Sequence, residues 1–142
     1  MPLELQIETS LLLILTALLS MVVGLDRNRR QQPAGLRTHM LVGIGSCLFT
    51  ILSIHAFAGG DTGRVAAQIV SGIGFLGAGV ILQLRQNGIS DIKHLTTAAS
   101  IWTTAAIGMA VGSGAWFLAI AATILIWVIL AVVRRFEPDK DK

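Results

Sequence analysis

The stretch AAQIVSGIGFLGAGVIL, Ala66 to Leu82, decides how the rest of the chain is read. Within it Gly72, Gly74 and Gly77 spell G-x-G-x-x-G, the fingerprint of a dinucleotide-binding turn, and Asp91 falls near the distance of a ribose-binding acid. Such a turn needs a strand before it, a helix after it and water around it. Here the flanks are AAQIV and VILQL, with no two-residue alternation, and Asp91 lies beyond Asn87-Gly88. The nucleotide reading fails, and the glycines belong to one uninterrupted apolar helix. At about 100° per residue, Ala67, Ser71, Gly74 and Ala78 share one stripe and Gln68, Gly72 and Gly79 a second, with Phe75 between them. Ile69, Ile73, Leu76 and Val80 gather on the far side. In lipid, helices associate by close packing, and small residues let backbones approach. Ser71, Gly72, Gly74, Gly77 and Gly79 are therefore expected to form a helix-packing core. This span is expected at the centre of a bundle, touching two neighbours, or one neighbour and a second protomer.

The surrounding sequence fits that setting. Of the 142 residues, 54% are apolar and only 13% charged, about half the ~25% usual in soluble domains. Five stretches approach the ~20 apolar residues that a spanning helix needs: about 7–25, 39–57, 65–84, 95–111 and 115–133. The expected fold is all-α, a polytopic membrane bundle of five transmembrane helices forming a single domain over 1–142. A re-entrant pair is the alternative for the last two stretches, which only Gly112-Ser113-Gly114 separates. The leading MPLELQIE carries Glu4 and Glu8 and no Lys or Arg, and the first span ends in DRNRR, so it reads as a retained span and not a cleaved signal.

Arginine and lysine set the expected orientation. Arg27, Arg29, Arg30 and Arg37 follow the first span, Arg85 and Lys93 the third, and Arg134, Arg135, Lys140 and Lys142 the fifth. The other side has Arg64. The positive-inside rule then puts the amino terminus outside and the carboxyl terminus in the cytoplasm. The net charge of +3 is read as a topology signal, so the bilayer is the expected partner and nucleic acid is not.

At the arginine-rich face several polar residues converge: Asp26, Arg27, Arg37, Thr38, Thr96 and Thr97. Asp26 stands out as an acid among basic residues, directly after an apolar helix. It should be paired, with Arg27, Arg37 or Arg85 as candidates, either as a clasp between helices or to bind a cation, an anionic headgroup or a partner protein. A second polar feature is the repeat in TTAASIWTTAA. Gln68, Ser100, Thr103 and Thr104 could line a polar path for a solute; alternatively the hydroxyls bond to carbonyls one turn back or across helices. His55 and Trp116 read as interfacial residues near the outer face. No Ser/His/Asp arrangement, H-E-x-x-H or metal-ligand cluster occurs, so the expectation is neither an enzyme nor a metal or cofactor protein.

The blocks GLDRNRR, PAGLRTHMLVGIGSCLF, AAQIVSGIGFLGAGVIL and LTTAASIWTTAAIGMAVG, in that order, resemble the MgtC/SapB family of bacterial inner-membrane proteins. The resemblance runs from about Leu11 to about Ala131. On the motifs, Asp26 and Arg27 match the acidic-Arg pair after the first span, and Pro33, Gly35, Leu36, Arg37 and Thr38 the P-x-G-L-R-T block. Ser71, Gly72, Gly74, Phe75, Gly77 and Gly79 match the glycine block, and Thr97, Ala98 and Ala99 the T-A-A block. His94 departs from the pattern, standing where the family usually has Gly. The resemblance implies a multi-pass protein of the inner membrane, linked to adaptation to low magnesium and to virulence. It also implies a regulatory role through membrane-protein contacts, with the F-type ATP synthase as a partner by analogy; a homodimer is expected instead from the small-residue face that a thin five-helix unit can bury against its twin. A transporter or channel for Mg²⁺ or another small solute is the alternative. The chain is read as a short form without the soluble carboxyl-terminal domain of longer members.

Overall fold

A computed structural model describes residues 1–57, 59–85 and 93–136, the side chains of 82–85, 93 and 94 excepted. Asp91, Lys140 and Lys142, and the side chains of Arg85, Lys93 and His94, which figure in the sequence reading, lie outside the described residues. Among those described, the elements are α1 (Leu3–Arg29), α2 (Leu36–His55), α3 (Thr62–Arg85), α4 (Lys93–Gly112), α5 (Trp116–Ala131) and a 3₁₀ turn, η1 (Val133–Phe136). The five α-helices each belong to a segment long and apolar enough to cross a membrane, the fifth counted from Trp116 to Phe136. With 20 residues at about 1.5 Å rise each, α4 matches the hydrocarbon thickness, and it is long enough to span rather than re-enter.

Two of the reversals use the same device. At the end of α4 the Gly114 amide donates to the Val111 carbonyl at 3.0 Å and the Ala115 amide to Ala110 at 2.8 Å. This is a Schellman closure, and Gly114 takes the left-handed φ of 85° that it demands. At the end of α1 the Gln31 amide donates to Asn28 and the Gln32 amide to Arg27, both at 3.1 Å. Here the left-handed position is held by Gln31, φ 51°, where glycine would cost nothing and a side chain costs on the order of 1 kcal/mol. That strained turn carries Gln32 back over the end of α1.

The centre of the bundle is α4, not α3. Among the described residues, helix α4 packs against α1, α2, α3 and α5, whereas α3 meets only α2 and α4. Half of the apolar window of α4 is buried, against 17% for α3. The sequence expectation of a central third span is thus corrected, and the reason lies in which glycines meet a backbone. A Cβ on Gly108 would land on the Gly43 carbonyl oxygen, and one on Gly112 would lie 2.7 Å from the Cys47 carbonyl oxygen. One on Gly43 would land on Ser20 Oγ, and one on Gly24 would lie 2.8 Å from Leu36 Cα. Gly108 and Gly112 form a G-x-x-x-G pair, the spacing that lets two helices approach closely. In the glycine block of α3, only Gly77 faces a neighbour, its Cβ position 3.5 Å from Ala98 Cβ. Gly72, Gly74 and Gly79 look onto open space, and Ser71 is exposed. Small residues permit close approach without requiring it.

Apolar contacts fill the remaining space in two clusters. Val23, Cys47, Ile51, Ile107, Val111 and Ala119 join α1, α2, α4 and α5, and Ile69, Ile73, Ile101 and Ala105 join α3 to α4. Outward, Leu3, Leu41, Phe75 and Phe117 are each 70% exposed or more, as expected of chains that face lipid tails. Trp102, Trp116 and Trp127 also face outward.

Substituting Gly108 by Ala should therefore lower stability in detergent by about 1–3 kcal/mol, the range for overpacked cores. Gly74→Ala should leave the single-chain fold intact. Thermal unfolding of the two variants side by side checks both expectations.

Candidate functional site

The polar groups that matter gather at the end of the bundle where α1, α2 and α4 meet. Arg27 is only 4% exposed although it sits in the last turn of α1. Its Nη2 donates to Thr97 Oγ1 of α4 at 2.8 Å and to Gln32 Oε1 at 3.0 Å. Thr97 in turn donates to Gln32 Oε1 at 3.2 Å. Gln32 can reach because the left-handed Gln31 folds it over the helix end. The end of α1 and the turn that follows it are thereby tied to α4, seventy residues on, at one guanidinium.

One turn deeper, His39 of α2 is wholly buried. Its Nδ1 lies 2.8 Å from the Gly35 carbonyl oxygen, which can only accept, so Nδ1 carries a proton. In the neutral ring Nε2 is then an acceptor, and Ser100 Oγ of α4 lies 3.1 Å from it. The same hydroxyl lies 2.8 Å from the Thr97 carbonyl oxygen. Ser100 has one proton for two acceptors, so its rotor links the histidine to the Thr97 turn of α4. Thr97, Ser100 and His39 are all buried, where an unmade hydrogen bond costs about 1–3 kcal/mol.

The sequence-derived candidates separate in space. Arg27 and Thr97 come together. Asp26 does not join them: its two carboxylate oxygens each lie 3.0 Å from Arg30 Nε, in an i,i+4 pair. Among the described residues Arg30 pairs with Asp26, and neither Arg27 nor Arg37 does; the Arg85 candidate lies outside them. Spacing explains this, since Arg30 lies one helical turn along the same face and Arg27 points the other way. Arg37 and Thr96 are exposed and Thr38 is half-buried; none contributes a hydrogen bond to the cluster among the described residues. Sequence reasoning missed Gln32, and it placed His39 only as the opening of a span. A histidine at i+4 from a helix-initiating glycine, PAGLRTH, is the signal that could have found the second.

The proposed polar path does not assemble as a line of open hydroxyls. Thr104 donates to the Ser100 carbonyl at 2.8 Å, and Thr103 lies 3.1 Å from the carbonyls of Ala99 and Ser100. Thr16, Thr50 and Thr123 do the same on their own helices, each at 2.8 Å. These hydroxyls satisfy themselves one turn back. Gln68 is exposed and opens on a groove between α2 and α3, lined by Leu41, Phe49, Ile69 and Gly72, of about 510 Å³. Among the described residues, no group of three His, Cys, Asp or Glu side chains is close enough to hold a metal ion.

A bundle of five apolar helices, tied at one end by a buried arginine, defines a multi-pass membrane protein. The MgtC family model matches residues 13–138, and the chain belongs to that family. It is 48% identical over 128 residues to YhiD of Escherichia coli K12, whose name carries a provisional magnesium-transporter label, covering 84% of this chain and 58% of that protein. It is 47% identical over 114 residues to Protein MgtC of Salmonella typhimurium, covering 80% of this chain and 47% of that one. Protein SrpB of Synechococcus elongatus is 39% identical over 137 residues, covering 88% and 74%. None of these three names is that of an enzyme. The chain spans about half the length of the first two of these relatives. No solved structure matches it.

Thr97→Val keeps the shape of the side chain and removes an acceptor from the buried guanidinium. It should cost about 1–3 kcal/mol of stability, while Thr96→Val, on the exposed neighbour, should stay within about 0.5 kcal/mol. Denaturation of the two variants in the same detergent separates a site residue from a bystander.

Proposed function

We propose that this protein is a non-catalytic regulatory protein of the bacterial inner membrane, active in adaptation to magnesium limitation or related stress. It works by contact with another membrane protein or with a second copy of itself. The supporting observation is the contrast between interior and surface. The hydroxyls of Ser100, Thr103 and Thr104 in α4 bond back to their own helix. The helix with the most glycines, α3, turns Gly72, Gly74 and Gly79 outward. A glycine face open to lipid suits helix–helix association. With the positive-inside orientation, the arginine-rich end lies in the cytoplasm. The magnesium link rests on membership of the MgtC family and on the name of the YhiD relative. The F-type ATP synthase is the partner suggested by family resemblance. Affinity capture of the tagged chain from native membranes should recover a defined membrane partner, and Gly74→Leu, which bulks the open face, should lower that recovery by about tenfold. Equal recovery by both forms removes the face from the reading.

One observation favours the second reading, a transporter or channel for Mg²⁺ or another small solute. Gln68 presents an amide to a groove within a membrane span, and a polar side chain at that depth commonly marks a solute pathway. Under this reading, vesicles holding the purified chain take up Mg²⁺, and Gln68→Leu or Thr103→Val slows the uptake. Uptake no faster than in empty vesicles discards it.

A further inference from the structure

The buried guanidinium of Arg27 has no carboxylate partner among the described residues. Asp26 spends both of its oxygens on Arg30, and that pair is the salt bridge recorded there. Thr97 and Gln32 offer Arg27 only neutral oxygens, and its Nε–H is buried without any partner. Helix α5 packs against α1, which puts η1 at the same end of the bundle as Arg27, and the charge of Arg134 bears on it. Arg134, on η1, is exposed. More widely, Arg27, Arg29, Arg30, Arg37, Arg134 and Arg135 occupy this end of the bundle against the single acid Asp26 among the described residues. A buried cation needs a counter-charge, because desolvation otherwise outweighs what neutral hydrogen bonds return. Arginine's planar fork suits the oxygens of carboxylate and phosphate groups alike, and at the headgroup layer of a bilayer phosphate is the oxyanion at hand.

We propose that the arginine-rich end of the bundle is a phosphate-oxyanion site, with the free Nε–H of Arg27 as its buried anchor and Arg134 as a second cation. The ligand class is a phosphate group carrying net negative charge. It is either the headgroup of an anionic phospholipid or a free inorganic phosphate, and both offer the same oxygens. The site stands apart from whatever α3 contacts, so it holds whether the protein regulates a partner or carries a solute. Binding would join α1 to the turn after α5, at the point where the Gln32–Thr97 network already fastens α1 to α4.

The test uses the full chain in nanodiscs. In discs of phosphatidylcholine, radiolabelled inorganic phosphate should bind saturably and raise the melting temperature at an ionic strength matched with chloride. Discs containing phosphatidylglycerol should also melt higher. If phosphatidylglycerol displaces the label, the headgroup is the natural occupant; if the label stays bound beside it, free phosphate is. Arg27→Lys keeps the charge but loses the fork, and Arg134→Gln removes the exposed cation; each should weaken binding about tenfold. Arg135→Gln, which removes a neighbouring exposed charge, should leave it within about twofold. The exposed position of Arg134 keeps the test decisive if Arg27→Lys fails to fold. Absence of stabilisation by both phosphate and phosphatidylglycerol overturns the proposal. So does an equal loss in Arg134→Gln and Arg135→Gln, which would mean diffuse attraction to a basic surface.

Discussion

Everything in this bundle depends on how closely α2 and α4 approach. Their backbones meet where Gly43 faces Gly108 and where Gly112 faces Cys47, with no room for a methyl group at Gly43, Gly108 or Gly112. In lipid the hydrophobic effect does not hold helices together, since the tails are as apolar as the side chains. Close packing of backbones supplies the attraction instead. Once α2 and α4 cross at that distance, α1 settles against both, with Ser20 over Gly43, and α3 and α5 are left to the flanks.

The same crossing produces the polar site. Because α4 lies against both α1 and α2, Thr97 and Ser100 stand beside Arg27 and His39. A buried arginine and a buried histidine are tolerable there only because two hydroxyls, a side-chain amide and the Gly35 carbonyl converge on them, and even so one guanidinium N–H is left over. The left-handed Gln31 belongs to the same economy of hydrogen bonds: its strain brings Gln32 to the arginine. Strain at Gln31 thus sits next to a buried, incompletely satisfied charge.

Much of this was legible from the residues alone. Five long apolar stretches with basic connections at alternate ends predict five helices. The first four helices begin two to four residues before the stretches and α1 ends four beyond, Leu3–Arg29 against 7–25, because hydropathy marks the immersed part while the helix runs on into the headgroup layer. Family membership was also visible, carried by the ordered blocks around Asp26, Pro33, Gly72 and Thr97. The packing was less so. The glycine-rich run of α3 drew attention because it is dense, while the pair Gly108 and Gly112 that contacts a backbone is sparse. Asp26 stands out in the sequence as an acid among basic residues, yet an i,i+4 arginine takes its charge and leaves Arg27 to turn inward.

What the sequence determined by itself is the class of the molecule and the membership of its face. Burial of apolar length in a bilayer is a one-dimensional property of the chain, so counting residues suffices, and Arg27 and Thr97 could be named as sharing one end. What only the tertiary structure decided is which of those neighbours touch. The contact of Arg27 with Thr97, seventy residues on, is fixed by the azimuth and separation of packed helices. Those depend on a few backbone contacts at Gly43 and Gly108, and no local pattern of hydropathy or charge encodes them.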